Sequence, residues 1–593
     1  MLGEGVKHEE DRQRDLRQND EWRRVIMETI AHRGHDREII ERLKEDQTFE
    51  SIANGLLAED PELHNPLSEV VKRFEEQSKG YDGSRREENL YSSAQQWTTV
   101  SSDHKLIGHL IELYLTWVHP VHMLFSESHF VLGFREVADG KANEYCSAAL
   151  VNAICAMACH LLDEGTTSQS PPTGDVTSRV NVTRLRQGFM DEAKKTLQEA
   201  SYDDTASIQA LAVMYLVDWS SGRARNALGY LQSASEALRP WYDRRSSEAA
   251  EITFWGIRTL VTVCIGATYQ KLHTPPLTKV DGVFNNVDLN RGGEVWKFYR
   301  QPGDEKVIPP NPSHATMTAC YQSRLFRLVS RINSLYCGTM GKVKWPTVAE
   351  MIDRMVAWRK GLPDELQLAS DGINAMPHIL YLHIQFHAAN VQLLNPLAQS
   401  GIFRGAQLHE ICSEIVQHAR RGLEIVQRSC EMHTARFHVP LLSLCCILLA
   451  DAIMVYDPQH GAQALTIAMG ALQEARIGFP LCDPLQELFR KRVIRHNVQG
   501  PPELVHTMSS EVHFSMDDIL DACTRLSYEQ PLSQIICHFD PAMASQRADF
   551  EATSQSPTSM SSTGKMQIGA VLNDDDEALP RRPPLNDDPA SDD

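Results

Sequence analysis

The stretch LIGHLIELYLTWV, residues 106–118, indicates the fold class, because its apolar residues recur every three or four positions. Such spacing places them on one face of an α-helix. Strand signals are weak, since the sequence shows no sustained alternation and no hairpin dipeptides between β-branched runs. The same helical pattern returns at 208–217, 252–265, 379–394, 441–455 and 464–472. We therefore predict an all-α protein, a large multi-helix domain with a disordered acidic C-terminal tail.

The composition limits the classes of partner that this protein can bind. Its 593 residues suggest about three or four domains' worth of chain, and apolar residues make up 42% of it. The net charge is −20, with a pI near 5.6. Because affinity for DNA comes largely from Lys and Arg that neutralise phosphates, an acidic chain is not expected to bind DNA tightly by itself.

The termini and the cysteines indicate where the protein is made. Residues 1–19 are polar and unlike a signal peptide, and the longest apolar run, Leu441–Ala450, is too short to cross a bilayer. Thirteen cysteines are scattered at irregular spacing, which favours reduced, buried thiols. We expect a soluble protein, made in the cytosol, with no membrane partner.

Composition shifts along the chain predict six regions. A large helical body lies between shorter N-terminal and C-terminal parts. The predicted boundaries are a charged disordered tail at 1–20, short N-terminal helices at 21–60, a linker at 61–100, the helical body at 101–490, a C-terminal helical extension at 491–545 and a disordered acidic tail at 546–593.

The acidic tail carries apolar residues among acidic groups, notably Ile568, Val571, Leu572 and Leu579 around the acidic run 574–577. Such a composition is typical of disordered activation segments, in which charge keeps the apolar groups exposed. The alternative is a solvated tail without function. Because the apolar residues are few and no aromatic residue follows Ala570, the second interpretation is favoured.

The candidate metal-ligating and catalytic residues lack the further residues that a metal site or an active site requires. His383 and His387 lie four residues apart on one predicted helix, as in H-E-x-x-H zinc proteases, but Ile384 occupies the place of the general base. Packing or hydrogen bonding at a helix contact is the favoured interpretation. No phosphate-binding glycine loop and no G-x-S-x-G motif is present. We predict no catalytic residue, no enzyme activity and no cofactor.

The cysteines show no zinc-finger spacing. Cys155, Cys159 and His160 cluster on one predicted helix, but no second ligand pair accompanies them. Cys445 and Cys446 lie within an apolar helix, where thiols behave as small apolar groups. No metal ligand is therefore predicted.

Residues 46–53 are similar to the first helix of a helix-turn-helix, a DNA-binding motif. The stretch that follows them is acidic and interrupted by proline, which does not suit a helix that reads DNA. No DNA-binding residue is therefore predicted.

An ordered set of aromatic-rich segments extends over residues 22–395. These segments include Tyr114-Leu115-Thr116-Trp117-Val118-His119-Pro120 with Phe125 and Phe130, Ala206-Ser207-Ile208-Gln209-Ala210-Leu211 with Gly222, Glu251 with Phe254-Trp255, and Trp358 with Leu362-Pro363-Asp364-Glu365-Leu366 and Leu382-His383-Ile384-Gln385-Phe386-His387. Their order and spacing resemble the fungal-specific transcription factor domain, the regulatory region of zinc binuclear cluster regulators. The resemblance implies an all-α regulatory domain and control of transcription in the nucleus, with possible shuttling to the cytoplasm.

The chain departs from that family in its cysteines. The family's DNA-binding cluster has six cysteines within about thirty residues near the N-terminus, whereas the first cysteine here is Cys146. We therefore expect that the zinc cluster, and with it direct DNA reading, is absent from this chain. The residues Arg239-Pro240-Trp241-Tyr242 and Leu394-Asn395-Pro396 also differ from the family pattern, so no effector-site residue is transferred from it.

The expected partners follow from the resemblance. They are protein partners, either a homodimer or heterodimer or the transcription machinery, together with a small-molecule effector. DNA is a partner only if an N-terminal zinc cluster is supplied. Two alternatives stay open: a dimerisation or effector-binding partner that modulates a full-length regulator, and a helical enzyme whose site has no recognised motif.

Overall fold

The computed structural model describes residues 96–136, 144–162, 176–199, 204–241, 247–268, 284, 287, 289, 296, 312–336, 342–368, 376–433, 437, 440–495 and 538–554. Within these residues there are fifteen α-helices and one pair of two-residue strands. In chain order the helices are α1 (His104–Leu113), α2 (Glu127–Glu136), α3 (Ala148–Ala158), α4 (Val176–Glu199), α5 (Thr205–Ser220), α6 (Ala224–Ala237), α7 (Glu248–Thr268), α8 (Ala315–Tyr336), α9 (Trp345–Lys360), α10 (Pro377–Gln399), α11 (Gly405–His433), α12 (Pro440–Tyr456), α13 (Gly461–Ala475), α14 (Cys482–Arg495) and α15 (Met543–Ser554). Strand β1 (Lys342–Val343) precedes α9, and strand β2 (His538–Phe539) precedes α15.

The helices belong to two compact units. The first unit contains residues up to Thr116 and residues 125–217, hence α1 to α4 and most of α5. The second unit contains residues 117–124 and, among the described residues, everything from Asp218 onward. Helix α1 continues as a π-helical turn, Tyr114–Val118, within which the chain passes from the first unit to the second.

Helix α3 forms the core of the first unit. Ser147 accepts a hydrogen bond from the Leu150 amide and so caps the helix, and every residue from Ala149 to Ala158 is buried, in contact with α1 and α4. The buried Asn152 side chain donates to the Trp97 carbonyl (2.9 Å) and accepts from the Thr98 hydroxyl (2.7 Å). Buried amides require such partners, and these bonds join α3 to the segment that precedes α1.

Aromatic rings continue the core of the first unit. Tyr114 stacks on Phe125, Phe125 contacts Phe130, Phe130 contacts Phe134, and Phe134 stacks on Trp97, with ring centroids 5.1–6.1 Å apart. Each of these five side chains is buried. Offset and edge contacts between rings stabilise a fold beyond the burial of their area, so these residues have a structural role.

Helix α10 forms the core of the second unit. It begins at Pro377, and proline suits the first helical position because its missing N–H would have no helical partner. Nearly all its residues up to Leu397 are buried, and it packs against α8, α11 and α12. A helix that buries residues on every face requires this complete coverage.

Two glycines in the second unit permit close approach of the backbone. A Cβ atom at Gly256 in α7 would lie 2.2 Å from the Met123 carbonyl oxygen. At Gly422 in α11, a Cβ would lie 2.6 Å from a methyl group of Leu449 in α12. Real Cβ atoms do not approach other atoms this closely, so these crossings depend on glycine.

The all-α prediction is confirmed, because the described residues are mostly helical and their strands are two residues long. Each of the six predicted helical stretches lies in a helix; the stretch 441–455, for example, lies within α12. Among the described residues, no helix combines the length and the apolar character needed to cross a membrane. Helix α15 extends to Ser554, beyond residue 546 where the acidic tail was predicted to begin. The predicted regions 1–20 and 21–60 lie outside the described residues.

Candidate functional site

The histidine pair on α10 is directed to two different partners. His383 donates from Nε2 to the Leu366 carbonyl at 2.8 Å, whereas His387 Nδ1 lies 3.0 Å from Nδ1 of His418 in α11. All three rings are buried. The shared face that the sequence predicted is present, and each ring is used for a hydrogen bond between elements.

The contact between His387 and His418 requires that at least one of the two rings is neutral. Two imidazoles can share one hydrogen bond only if one donates and the other accepts. Burial lowers the pKa of His418 to about 4, and burial together with the neighbouring His418 holds the pKa of His387 well below its ordinary value. Burial also raises the pKa of Glu414, one turn before His418, to about 7. Burial thus favours the uncharged form of each of these groups, His387, His418 and Glu414.

The predicted cysteine cluster lies in the first unit beside a buried arginine. Arg186 in α4 donates from a terminal nitrogen to His160 Nδ1 at 3.1 Å. Burial raises the pKa of Cys159 to about 12, against the opposing effect of Arg186, and burial raises the pKa of Cys155 as well. Both thiols are therefore protonated at neutral pH and are poor nucleophiles and poor metal ligands.

The remaining candidate thiols are also protonated. Cys445 and Cys446 in α12 are buried, and burial raises the pKa of each, that of Cys445 to about 12. Across the described part of the chain, no group of three or more His, Cys, Asp or Glu side chains is arranged to hold a metal ion. The geometry thus gives His383, His387, Cys155, Cys159 and His160 packing and hydrogen-bonding roles.

A polar chain crosses the interior of the second unit. Gln322 in α8 donates to the Gln385 amide oxygen in α10 at 3.1 Å, and the Tyr381 hydroxyl lies beside Gln385. Neither that hydroxyl nor Gln385 Nε2 has a well-formed hydrogen bond among the described residues. Rotating both amides by 180° would let Gln385 donate to Gln322 and accept from Tyr381. These groups can therefore satisfy one another without a ligand.

The large aromatic rings in the segments that carry the family resemblance are buried. In the second unit, Trp117 stacks on Phe437 with a centroid distance of 4.7 Å. Trp358 stacks on Phe386 and donates from its indole nitrogen to the Tyr321 carbonyl. Trp255 is 1% exposed. These large rings contribute to the core, as the sequence interpretation expected.

A further surface was not predicted from the sequence. Residues 538–554, hereafter the C-terminal segment, belong to the second unit and lie against the rest of it. Strand β2 pairs with β1 in parallel, and the Asp540 amide donates to the Val343 carbonyl at 2.8 Å. Helix α15 packs against α9. We define the docking surface as β1, Tyr336, Trp345, Gln407 and Glu410.

Arg547 is the centre of this contact. Its side chain is 1% exposed, yet it carries a full charge. It forms an ion pair with Glu410 in α11, donates to Glu551 one turn later (2.7 Å) and donates to the Gln407 carbonyl (3.3 Å). Its guanidinium lies 5.0 Å from the centre of the Trp345 ring. Two carboxylates and an aromatic face thus replace the water that a buried cation loses.

The C-terminal segment also completes the start of α9. Lys344, the residue that precedes α9, offers no capping side chain. The Gln546 side chain instead accepts from the Trp345 amide at 3.1 Å, and its own amide donates to Asp540 at 3.0 Å. A free amide in the first turn of a helix needs such an acceptor. Asp540 followed by Pro541 is a typical helix-start signal, and it could have revealed α15 from the sequence.

No protein-family model matches the chain, but three fungal transcription factors are similar to it in sequence. It is 25% identical over 332 residues to the nitrogen assimilation transcription factor nirA of Emericella nidulans, and 24% identical over 325 residues to the nitrogen assimilation transcription factor nit-4 of Neurospora crassa. It is 27% identical over 360 residues to the notoamide biosynthesis transcriptional activator notL' of Aspergillus versicolor. Its relatives are fungal transcription factors.

The matched regions cover about half of this chain, between 51% and 55%. They cover 35% of nirA, 28% of nit-4 and 53% of notL'. The predicted resemblance to fungal transcription factors is confirmed at this level. The predicted absence of a zinc cluster, and the nature of any effector, stay predictions.

Proposed function

We propose that this chain is a regulator of DNA-templated transcription that acts in the nucleus through other proteins rather than by reading DNA itself. The observation that carries the proposal is the similarity to three fungal transcription factors, each over more than 300 residues. Within that similarity the helical body serves as the regulatory region. It works with a protein partner, either a second copy or a full-length regulator, and with an effector.

The chemistry of the described groups supports a regulatory rather than a catalytic role. The candidate nucleophiles Cys155, Cys159, Cys445 and Cys446 are buried and protonated. An enzyme needs an accessible group whose pKa is matched to its task. Buried neutral thiols and imidazoles instead stabilise a rigid scaffold, and the proposed function places no chemical step on them.

A tethering experiment tests the proposal. The full chain is fused to a heterologous DNA-binding domain in a fungal reporter strain, and transcript from the reporter is measured against that domain alone. We expect the fusion to change transcription several-fold. The matched control is the same fusion with Trp255→Ala, which removes a buried ring and so disrupts the fold. Equal transcript from the intact fusion and from the DNA-binding domain alone would exclude the proposed role.

A second experiment examines the part of the proposal that concerns DNA. We expect the isolated chain to show no sequence-selective binding in an anisotropy titration at about 150 mM salt, where phosphate contacts are already weakened. The net charge of −20 is the physical reason. Tight binding to one sequence over a scrambled control would instead show that the chain reads DNA directly.

A further inference from the structure

We propose that the C-terminal segment is a detachable latch whose docking on the second unit restrains the acidic sequence that follows it, residues 555–593, hereafter the distal tail. The juxtaposition of the buried Arg547 with Glu410 and Trp345 carries the proposal. The regulatory consequence rests on the proposed function in transcription, whereas the detachment itself does not.

The contacts of α15 are those of a docked peptide rather than of a core helix. Side chains are described for residues 543–549 and 551 of α15, and among these only Met543 and Arg547 are buried. Further attachment comes from the β1–β2 pairing, a ring contact between Phe539 and Tyr336, and side-chain hydrogen bonds of Gln546 and Gln407. A segment with so few buried apolar groups opens far more readily than the core does.

Release of the segment leaves no isolated buried charge on the body. The two carboxylates that pair with Arg547 are half-exposed, Glu410 at 56% and Glu551 at 45%. Both can regain water as soon as the arginine leaves, so the ion pair is formed and broken at modest cost. Interactions with exposed partners also weaken with salt, which makes docking sensitive to ionic conditions and to competing charged partners.

The C-terminal segment is separated from α14 along the chain. Residues 496–537 lie between α14 and β2 in the sequence. The C-terminal segment is therefore not a direct continuation of α14, and its attachment to the docking surface is a contact between parts of the chain that are distant in sequence. Because the distal tail begins directly after Ser554, docking fixes the start of the tail at the body, and release frees it.

Hydrogen exchange of the full chain tests the latch directly. We expect the amides of α15 to exchange at least 100-fold faster than those of α12. Arg547→Ala should raise the α15 rates by about a further tenfold, and α12 should still exchange at least 100-fold more slowly than α15. The matched control is Arg354→Ala, which removes an exposed ion pair of α9 with Glu350 (2.6 Å) and should leave α15 unchanged. Protection of α15 equal to that of α12, or no response to Arg547→Ala, would overturn the latch.

The tethered reporter tests the consequence of release. The proposal adopts the activation-segment interpretation of the distal tail, so Arg547→Ala in the tethered full chain should raise reporter transcript at least threefold over the unaltered fusion, and removal of residues 555–593 should abolish this gain. Arg354→Ala should match the unaltered fusion. Unchanged transcript from a chain whose α15 exchange shows release would overturn the restraint of the tail. A reporter that no fusion affects would count against the proposed function, while the exchange rates would still decide the latch.

Discussion

Helices α14 and α15 each pack an arginine against other helices of the second unit, but different interactions attach the two helices. Helix α14 buries Leu485, Leu488 and Phe489, and its Arg492 pairs with Asp451 of α12 through two 2.6 Å bonds. Both of those charged side chains are at most 13% exposed. Among its described side chains, helix α15 instead buries one apolar residue, Met543, and one arginine whose carboxylate partners are half-exposed.

The difference shows that a buried arginine does not by itself identify a core helix. Apolar burial supplies most of the stabilisation of a packed helix. The contribution of an ion pair to stability depends on the solvent exposure of both partners. When one partner is exposed to solvent, water readily takes the place of the ion pair at that partner. Helix α14 therefore belongs to the folded body, whereas α15 is attached to it.

Acidification should produce the largest effect, and it should act on the body. Burial lowers the pKa of His119 to about 3 and those of His378, His383 and His418 to about 4. The unfolded chain takes up these protons below pH 6.5, so the stability that these four rings contribute is complete above that pH and is lost as the pH falls towards 4. Glu414, whose pKa burial raises to about 7, opposes this loss, but it is one group against four. Each group contributes at most about 1.4 kcal/mol per pH unit.

Thermal unfolding measured between pH 7.5 and 4.5 checks this dependence. His383→Gln keeps an N–H donor near Leu366 but removes one titrating group, so the variant should lose stability less steeply on acidification. A melting temperature that does not change across this range would contradict the assignment of these rings as buried and neutral.

Removal of a core ring should have the largest effect among single substitutions. Trp255 is almost completely buried in α7. We expect Trp255→Ala to lower the free energy of unfolding by about 3–5 kcal/mol, measured by denaturant titration. Trp255→Phe retains part of the volume and should lose less. An unchanged midpoint for Trp255→Ala would place the ring outside the core.

Breaking the ion pair of α14 should have an intermediate effect. Asp451→Ala leaves Arg492 largely buried without its bidentate carboxylate, and we expect a loss of about 3 kcal/mol. Asp451→Asn keeps the shape and one acceptor and should cost less. If Asp451→Ala altered stability no more than a surface substitution does, α14 and α15 would not differ in the way described.

The matching substitution in α15 should have the smallest effect on global stability. Arg547→Ala is expected to lower the free energy of unfolding by about 1.4 kcal/mol, the equivalent of the tenfold faster exchange expected for α15, because its carboxylate partners return to water. The same denaturant titration measures it. A loss as large as that for Asp451→Ala would show that α15 is part of the core.

Local patterns were sufficient to predict six of the fifteen described helices, and distant pairing was not predictable. The apolar periodicity of 441–455 predicted α12, because burial of an apolar face determines where a helix forms. The face shared by His383 and His387 was equally predictable. Their partners, the Leu366 carbonyl and His418, depend on how separate helices pack, and one sequence carries no signal for that.

The C-terminal segment shows the same difference between a local signal, which the sequence contains, and a contact between distant residues, which it does not reveal. Its helix start at Asp540 and Pro541 is a local signal. Its docking depends on Glu410 and Trp345, which lie 137 and about 200 residues away in sequence and have no recognisable spacing. Arg186 beside His160 was missed for the same reason, because the contact joins two helices of the first unit.

Chromatin occupancy of the tagged full chain, expressed in a filamentous fungus, tests the proposed function most directly. Cross-linking and immunoprecipitation would be followed by sequencing of the recovered DNA, with the Trp255→Ala chain as the matched control. We predict enrichment at a limited set of promoters, reached through a partner that reads DNA, and loss of that enrichment in the control. A chain that is folded and present in the nucleus but shows no promoter enrichment above the control would contradict a role in transcription.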